Sequence, residues 1–276
     1  MSANFHLPRS AVPDAMFGGA GSADAAHSQE RPVPAREAAT VMLLRDTPSG
    51  VEVFLQRRVA AMKFAAGMTV FPGGGVDERD ADASIAWAGP PAAQWAEWFG
   101  CDERLARALV CAAVREMFEE SGVLLAGQGP GTIVGDTSGY ADARAALVAR
   151  ELSLAAFLAD AGLTLRGDLL RPWANWVTPE REKRRYDTKF FVAALPAGQR
   201  ADGDTTEAAE SGWRTPADAM ADGEAGRSML MPPTWAMLAD LAACRDVAEV
   251  LATDRTPVPK LMPTLRLDGE SVLVEL

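Results

Sequence analysis

The stretch REMFEESGVLL, residues 115–125, sets three glutamates within five positions of a segment otherwise rich in good helix formers. At about 100° per residue, Glu116, Glu119 and Glu120 fall in one narrow arc, while Val110, Val114, Met117 and Phe118 occupy the opposite side. One side of this helix is therefore expected to pack and the other to present its carboxylates outward. Like charges one turn apart repel, so the arc needs either open water or a cation. Arg115 stands one turn before Glu119 and is placed to pair with it, but one guanidinium does not neutralise three carboxylates.

Working outward, Asp102 suits an N-cap and Gly122 a C-cap, which predicts a helix over the residues between them. Upstream, residues 81–100 (ADASIAWAGPPAAQWAEWFG) look inserted. A short helix around Gln94 to Phe99 should lay Trp95, Trp98 and Phe99 over a core edge, with a stacking platform for a nucleobase as the minority alternative. Before the insert, MTVFPGGGVDERD reads as a strand running into a tight glycine loop. Earlier still, EAATVMLLRD and VEVFLQRRV are separated by TPSG and read as a hairpin.

Downstream, helices are expected at about 140–161 and 233–252. Strands are expected around 173–178, 187–195 and 210–214, with a final hairpin turning at Asp268-Gly269. Strands and helices mix without regular alternation, so the fold class is α+β. Residues 1–37, rich in Gly, Pro, Ala and Ser, suggest a disordered tail, followed by a single domain over 38–276 whose last helix and hairpin, about 233–276, form an extension.

Composition narrows the chemistry. A formal net charge of -11 argues against nucleic-acid and anionic-membrane partners, and no run of apolar residues is long enough for a membrane span. Three cysteines without C-x-x-C spacing make a disulfide framework or zinc site improbable and suit a reducing cytoplasm. Both histidines, His6 and His27, lie in the expected tail, which removes Ser-His-Asp, Cys-His and His-zinc chemistries. Neither a Walker A sequence nor a G-x-G-x-x-G fingerprint is present. Carboxylates, basic side chains and a hard oxygen-seeking metal such as Mg²⁺ or Mn²⁺ are left to carry any reaction.

The run REMFEESGV, Arg115 to Val123, resembles the R-E-U-x-E-E-x-G-U half of the Nudix box, where U is a bulky aliphatic residue, and FPGGGVDERD resembles its glycine half. The family pattern places the arginine 14 residues after the glycine, whereas Arg115 lies 41 residues after Gly74, so 27 extra residues interrupt the box. A box interrupted in this way is similar to that of the coenzyme A diphosphatase branch. The resemblance implies a mixed sheet sandwiched between helices, with a Trp-rich helical insertion inside the box. It implies hydrolysis of a phosphoric anhydride in a small-molecule nucleoside diphosphate derivative, with coenzyme A or acyl-coenzyme A the first expectation. Alternatives are ADP-ribose, a dinucleotide or a nucleotide sugar, and, in another class, a nucleotide-sensing module without turnover.

By the same resemblance, Glu116, Glu119 and Glu120 bind metal, the carbonyl of Gly74 adds a ligand, and Arg115 positions the glutamates. The box's first glutamate has no identical residue; Asp80 stands six after Gly74, with Asp77 and Glu78 beside it. Glu207 and Glu210 are both candidates to orient water. Arg184, Arg185, Tyr186 and Lys189, in a basic cluster that also holds Arg181 and Lys183, are candidates to hold substrate phosphates. The oligomeric state is open, a homodimer included.

Overall fold

A computed structural model of the chain describes residues 4–9, 32–59, 65–205 and 208–276. In chain order the strands are β1 (Phe5–Pro8), β2 (Arg36–Thr47), β3 (Gly50–Arg58), β4 (Met68–Val70), β5 (Gly73–Gly75), β6 (Trp87–Ala88), β7 (Ala126–Gly127), β8 (Thr164–Arg166), β9 (Arg171–Val177), β10 (Tyr186–Ala194), β11 (Ala208–Arg214), β12 (Met229–Leu230), β13 (Lys260–Leu261), β14 (Thr264–Asp268) and β15 (Ser271–Glu275). The helices are α1 (Ala92–Phe99), α2 (Glu103–Ser121), α3 (Ala141–Val148), α4 (Leu154–Asp160), α5 (Pro216–Glu224), α6 (Pro232–Ala242) and α7 (Val247–Ala252).

A nine-stranded mixed sheet runs in the order β12-β4-β3-β2-β10-β9-β13, with β11 joined to β3 and β5 to β2. The β2–β3 hairpin turns between Thr47 and Gly50, and β2 then pairs in parallel with β10 on its other side. Successive residues of β2 point to opposite faces. Val41 and Leu43 enter one core with α2, α4 and Phe191; Met42 and Leu44 enter a second core with Trp235, Leu238 and Val250 of α6 and α7. The continuous apolar run of β2 thus reflects a strand covered on both faces, and the fold is an α+β mixed sheet between helical layers.

The insert packs as a core edge. Trp95 is fully buried, with its ring 4.9 Å from that of Trp98 and 5.7 Å from that of Phe191 on β10, which rules it out as a platform for a base.

The expected helix over 140–161 is two helices. The chain turns left-handed at Arg150 (φ 60°), and the Ser153 hydroxyl caps α4. The helix over 233–252 is likewise divided, with Asp246 capping α7. The tail also departs from expectation: Phe5–Pro8 pair with β15, Leu7 being buried against Val272 and Val274. His6 therefore sits in a strand, its Nε2 3.0 Å from Asp268 Oδ2, while residues 10–31, including His27, lie outside the described residues. Among the described residues, no helix is long and apolar enough to cross a membrane.

Candidate active site

Helix α2 begins where the Asp102 carboxylate accepts the Leu105 amide at 2.8 Å and ends at Gly122, left-handed at φ 71°. Its apolar side fills the core as expected, but its carboxylate side does not face open water. The glutamates lie against β5, β3 and the short 3-10 turn at Glu78–Ala81, and their side chains are only 12% exposed at Glu116 and 13% at Glu119, with Glu120 buried. Helical periodicity shows which residues share a side; it carries no information about what covers that side.

Arg115 is the hub of the arrangement. Its Nε and Nη2 donate to Asp80 at 2.9 and 2.8 Å, and Nη2 also donates to the carbonyl of Gly75 at 3.0 Å. Nη1 donates to Glu116 at 2.7 Å and to Glu119 at 3.2 Å. Asp80, which is fully buried, is the acid of the Asp77–Asp80 turn that reaches Arg115: its second contact is the amide of Asp77, whose carboxylate binds Arg79 and is held down at about 2 by those hydrogen bonds. The two halves separated by the insert therefore meet at one guanidinium.

The glycine run supplies proximity. Gly74 pairs with Ala39 on β2, and a Cβ added there would lie 2.6 Å from the carboxylate carbon and both oxygens of Glu116. Gly73 donates its amide to Glu120 Oε2 at 2.9 Å, and the buried Gln56 of β3 donates Nε2 to the same oxygen at 3.1 Å. Gly74→Ala is expected to push Glu116 aside and lower any turnover by about 10²-fold, since displacements of an ångström carry costs of that size. Kinetics on a variant with an unchanged thermal midpoint check this.

Burial first, reinforced by Glu119 and opposed by Arg115, pushes Glu116 up to about 7, and burial likewise raises Glu119. One guanidinium serves the three carboxylates of Asp80, Glu116 and Glu119, which gathers hard oxygen donors in one place. That donor set suits Mg²⁺ or Mn²⁺. No group of three or more His, Cys, Asp or Glu side chains stands in metal-holding geometry among the described residues.

The raised Glu116 has a stability consequence of definite sign. Between about 4.5, its unfolded value, and about 7, the folded state binds more protons than the unfolded one, so stability falls as pH rises through that window. The expected loss is on the order of 3 kcal/mol. In chelator, the thermal midpoint should drop from pH 5 to pH 8, and added Mn²⁺ should offset the drop at pH 8. A flat profile would contradict the buried, charge-crowded cluster.

The other residues anticipated from sequence are placed less uniformly. Lys189 is buried and ion-paired with Glu37 at 2.5 Å and Asp187 at 2.8 Å. Arg185 is buried, donating to the carbonyls of Thr178 at 3.0 Å and Val33 at 2.8 Å. Both are committed to internal contacts, which corrects their assignment as phosphate ligands. Arg184, Arg181 and Lys183 are exposed on the loop before β10, and Tyr186 opens that strand opposite Arg36.

Glu210 is mostly exposed and binds Arg57 at 3.1 Å. It pairs in register with Arg57, whereas Gln56 faces Ser211, so strand alternation turns Glu210 away from Gln56 and Glu120 and corrects its candidacy. Glu207 lies outside the described residues. The loop preceding it is fastened to the end of α2: the Asp202 amide donates to Ser121 at 3.0 Å, and Arg144 donates to Asp202 at 2.8 Å and to the Glu119 carbonyl at 3.0 Å. Gln56 and Arg144 have no local sequence signal, whereas the spacing from Gly74 already pointed to Asp80.

Comparison with known proteins places the chain in a family. A family model of the NUDT19 Nudix domain matches residues 101–241, about half of the chain. Nudix hydrolase 7 of Caenorhabditis elegans is 29% identical over 211 residues, covering 76% of this chain and 62% of its own. The acyl-coenzyme A diphosphatase NUDT19 of Gallus gallus is 29% identical over 257 residues, covering 72% of this chain and 66% of its own. The chain thus spans a little under two thirds of the length of these curated relatives. A crystal structure of a NUDIX hydrolase from Alicyclobacillus acidocaldarius superimposes with a TM-score of 0.68 at 28% identity, covering 80% of this chain and 97% of that one.

Proposed function

The chain belongs to the NUDT19 Nudix domain family, and from that premise we propose that it is a Mg²⁺- or Mn²⁺-dependent diphosphatase whose substrate is coenzyme A or an acyl-coenzyme A. The observation that carries the reading is the convergence of Glu116, Glu119 and the Gly75 carbonyl on Arg115, with Glu120 held beside them by the amide of Gly73. The choice of substrate is supported by the interrupted box and by the Gallus gallus relative, an acyl-coenzyme A diphosphatase.

Glu116, Glu119 and Glu120 would hold the cation, with the carbonyl of Gly74 as a further ligand. When bound, such an ion neutralises charge on phosphate oxygens and acidifies water. Arg115 fixes the directions of Glu116 and Glu119, and Asp80 fixes Arg115. The amide of Gly73 and the side chain of Gln56 fix one oxygen of Glu120. Low exposure of the cluster excludes most bulk water and strengthens each of these interactions.

Incubation with coenzyme A, acetyl-coenzyme A, ADP-ribose, a dinucleoside polyphosphate and UDP-glucose in Mg²⁺ or Mn²⁺, with mass identification of products, tests the reading. Coenzyme A should yield adenosine 3′,5′-bisphosphate and 4′-phosphopantetheine. Cleavage of other diphosphates alone would remove coenzyme A from the reading, and no cleavage at all would contradict the diphosphatase itself.

A further inference from the structure

Lys189 and Arg185 are committed to internal contacts, which leaves exposed cations to meet a substrate diphosphate. We propose that Arg150, at the junction of α3 and α4, is a substrate-binding residue that receives a phosphoryl group of the diphosphate; the inference rests on the diphosphatase reading above.

Arg150 closes α3 in a left-handed conformation (φ 60°), its amide bonded to the Leu147 carbonyl at 2.8 Å and the Glu151 amide to the Ala146 carbonyl at 2.9 Å. Glycine is the usual occupant of that position, because a side chain there strains the backbone. An arginine at this site bears a backbone cost that a glycine would not.

Contacts tie this junction to the site. The Arg150 carbonyl accepts Arg79 Nη1 at 3.2 Å, and Arg79 also grips Asp77, whose amide donates to Asp80, the partner of Arg115. Four contacts thus join the backbone of Arg150 to the guanidinium that holds Glu116 and Glu119.

Neighbouring cations are engaged: Arg79 with Asp77 at 3.0 Å and Arg144 with Asp202 at 2.8 Å. The Arg150 side chain is exposed and has no ion-pair or hydrogen-bond partner among the described residues. A guanidinium so placed presents a fork of donors that matches phosphoryl oxygens.

Arg150→Gly separates the two roles of the residue, since it removes the side chain and relieves the backbone. The variant is expected to melt at a higher temperature than the wild type, yet to bind α,β-methylene-ADP in Mn²⁺ at least about tenfold more weakly by calorimetry, the size of one lost charged hydrogen bond. KM for the hydrolysed diphosphate should rise with kcat nearly unchanged, and Arg150→Lys should recover part of the affinity. Unchanged affinity in Arg150→Gly, or a wild type that does not bind the analogue, would overturn the proposal. A wild type that binds the analogue but hydrolyses no diphosphate would sink the hydrolase reading alone, and the affinity comparison would still decide the role of Arg150.

Discussion

Glu119→Gln is expected to lower diphosphate turnover by about 10³-fold while leaving the fold intact. A cation clamped on phosphate oxygens contributes several kcal/mol to the transition state, and each factor of ten in rate corresponds to about 1.4 kcal/mol. The glutamine carbonyl can still accept the Arg115 hydrogen bond that Glu119 receives at 3.2 Å, so orientation survives and only the charge is lost. Folding should not suffer, because burial already disfavours the ionised form of Glu119. The thermal midpoint in chelator is expected to stay level or rise. Glu120→Gln should lose turnover similarly but some stability as well, since one Glu120 oxygen serves both Gly73 and Gln56. Near-normal rates in both variants, measured at saturating Mn²⁺, would exclude this face from the reaction.

Arg115→Ala should have the largest effect on stability. It leaves the carboxylates of Asp80, Glu116 and Glu119 facing one another in a site where Asp80 is fully buried, and breaking a buried ion pair from one side costs about 3–5 kcal/mol. For a chain of this size that corresponds to a fall on the order of 10 °C in thermal midpoint. Asp80→Asn should cost less, because the guanidinium keeps Glu116, Glu119 and the Gly75 carbonyl. Arg115→Lys should behave more like the alanine variant than like the wild type, since an ammonium cannot reproduce the two-pronged contact with Asp80. A midpoint within a degree or two of wild type for Arg115→Ala would show that the hub does not join the two halves of the site.

Much of this architecture is legible in the sequence wherever the deciding interactions are local. The caps Asp102 and Gly122, the β2–β3 turn and the Asp268-Gly269 turn are set by residues next to the elements they delimit. The half-box REMFEESGV names the glutamates because helical spacing alone brings them together. What sequence spacing does not reveal is the partner that arrives from far along the chain. Lys189 looks like part of a basic surface until Glu37, on the neighbouring parallel strand, neutralises it. Arg185 looks free until the carbonyl of Val33 folds onto it. Phe5–Pro8 find their partner in the last strand, more than 260 residues away. Helix α5 was legible in principle, since Thr215 and Pro216 form an N-terminal signal and the Thr215 hydroxyl accepts the Asp218 amide.

Burial of the carboxylate side matters most for function. An exposed acidic helix would leave its glutamates near their ordinary pKa values and solvated. Here the segment just before the insert lays Asp80 and the glycine strand on one side of α2, and the burial that results pushes Glu116 up. Arg115 thus ties the packing of the two halves to the placement of the glutamates.

The central claim, that these glutamates form a divalent-cation site, is tested most directly by titrating Mn²⁺ into the wild type and Glu116→Gln, Glu120→Gln double variant, with free Mn²⁺ followed by electron paramagnetic resonance. The wild type should bind Mn²⁺ with an affinity that weakens as pH falls below about 7, where Glu116 takes up a proton, and the double variant should lose that binding. Undiminished binding in the double variant, or binding by the wild type that does not change with pH, would contradict the account.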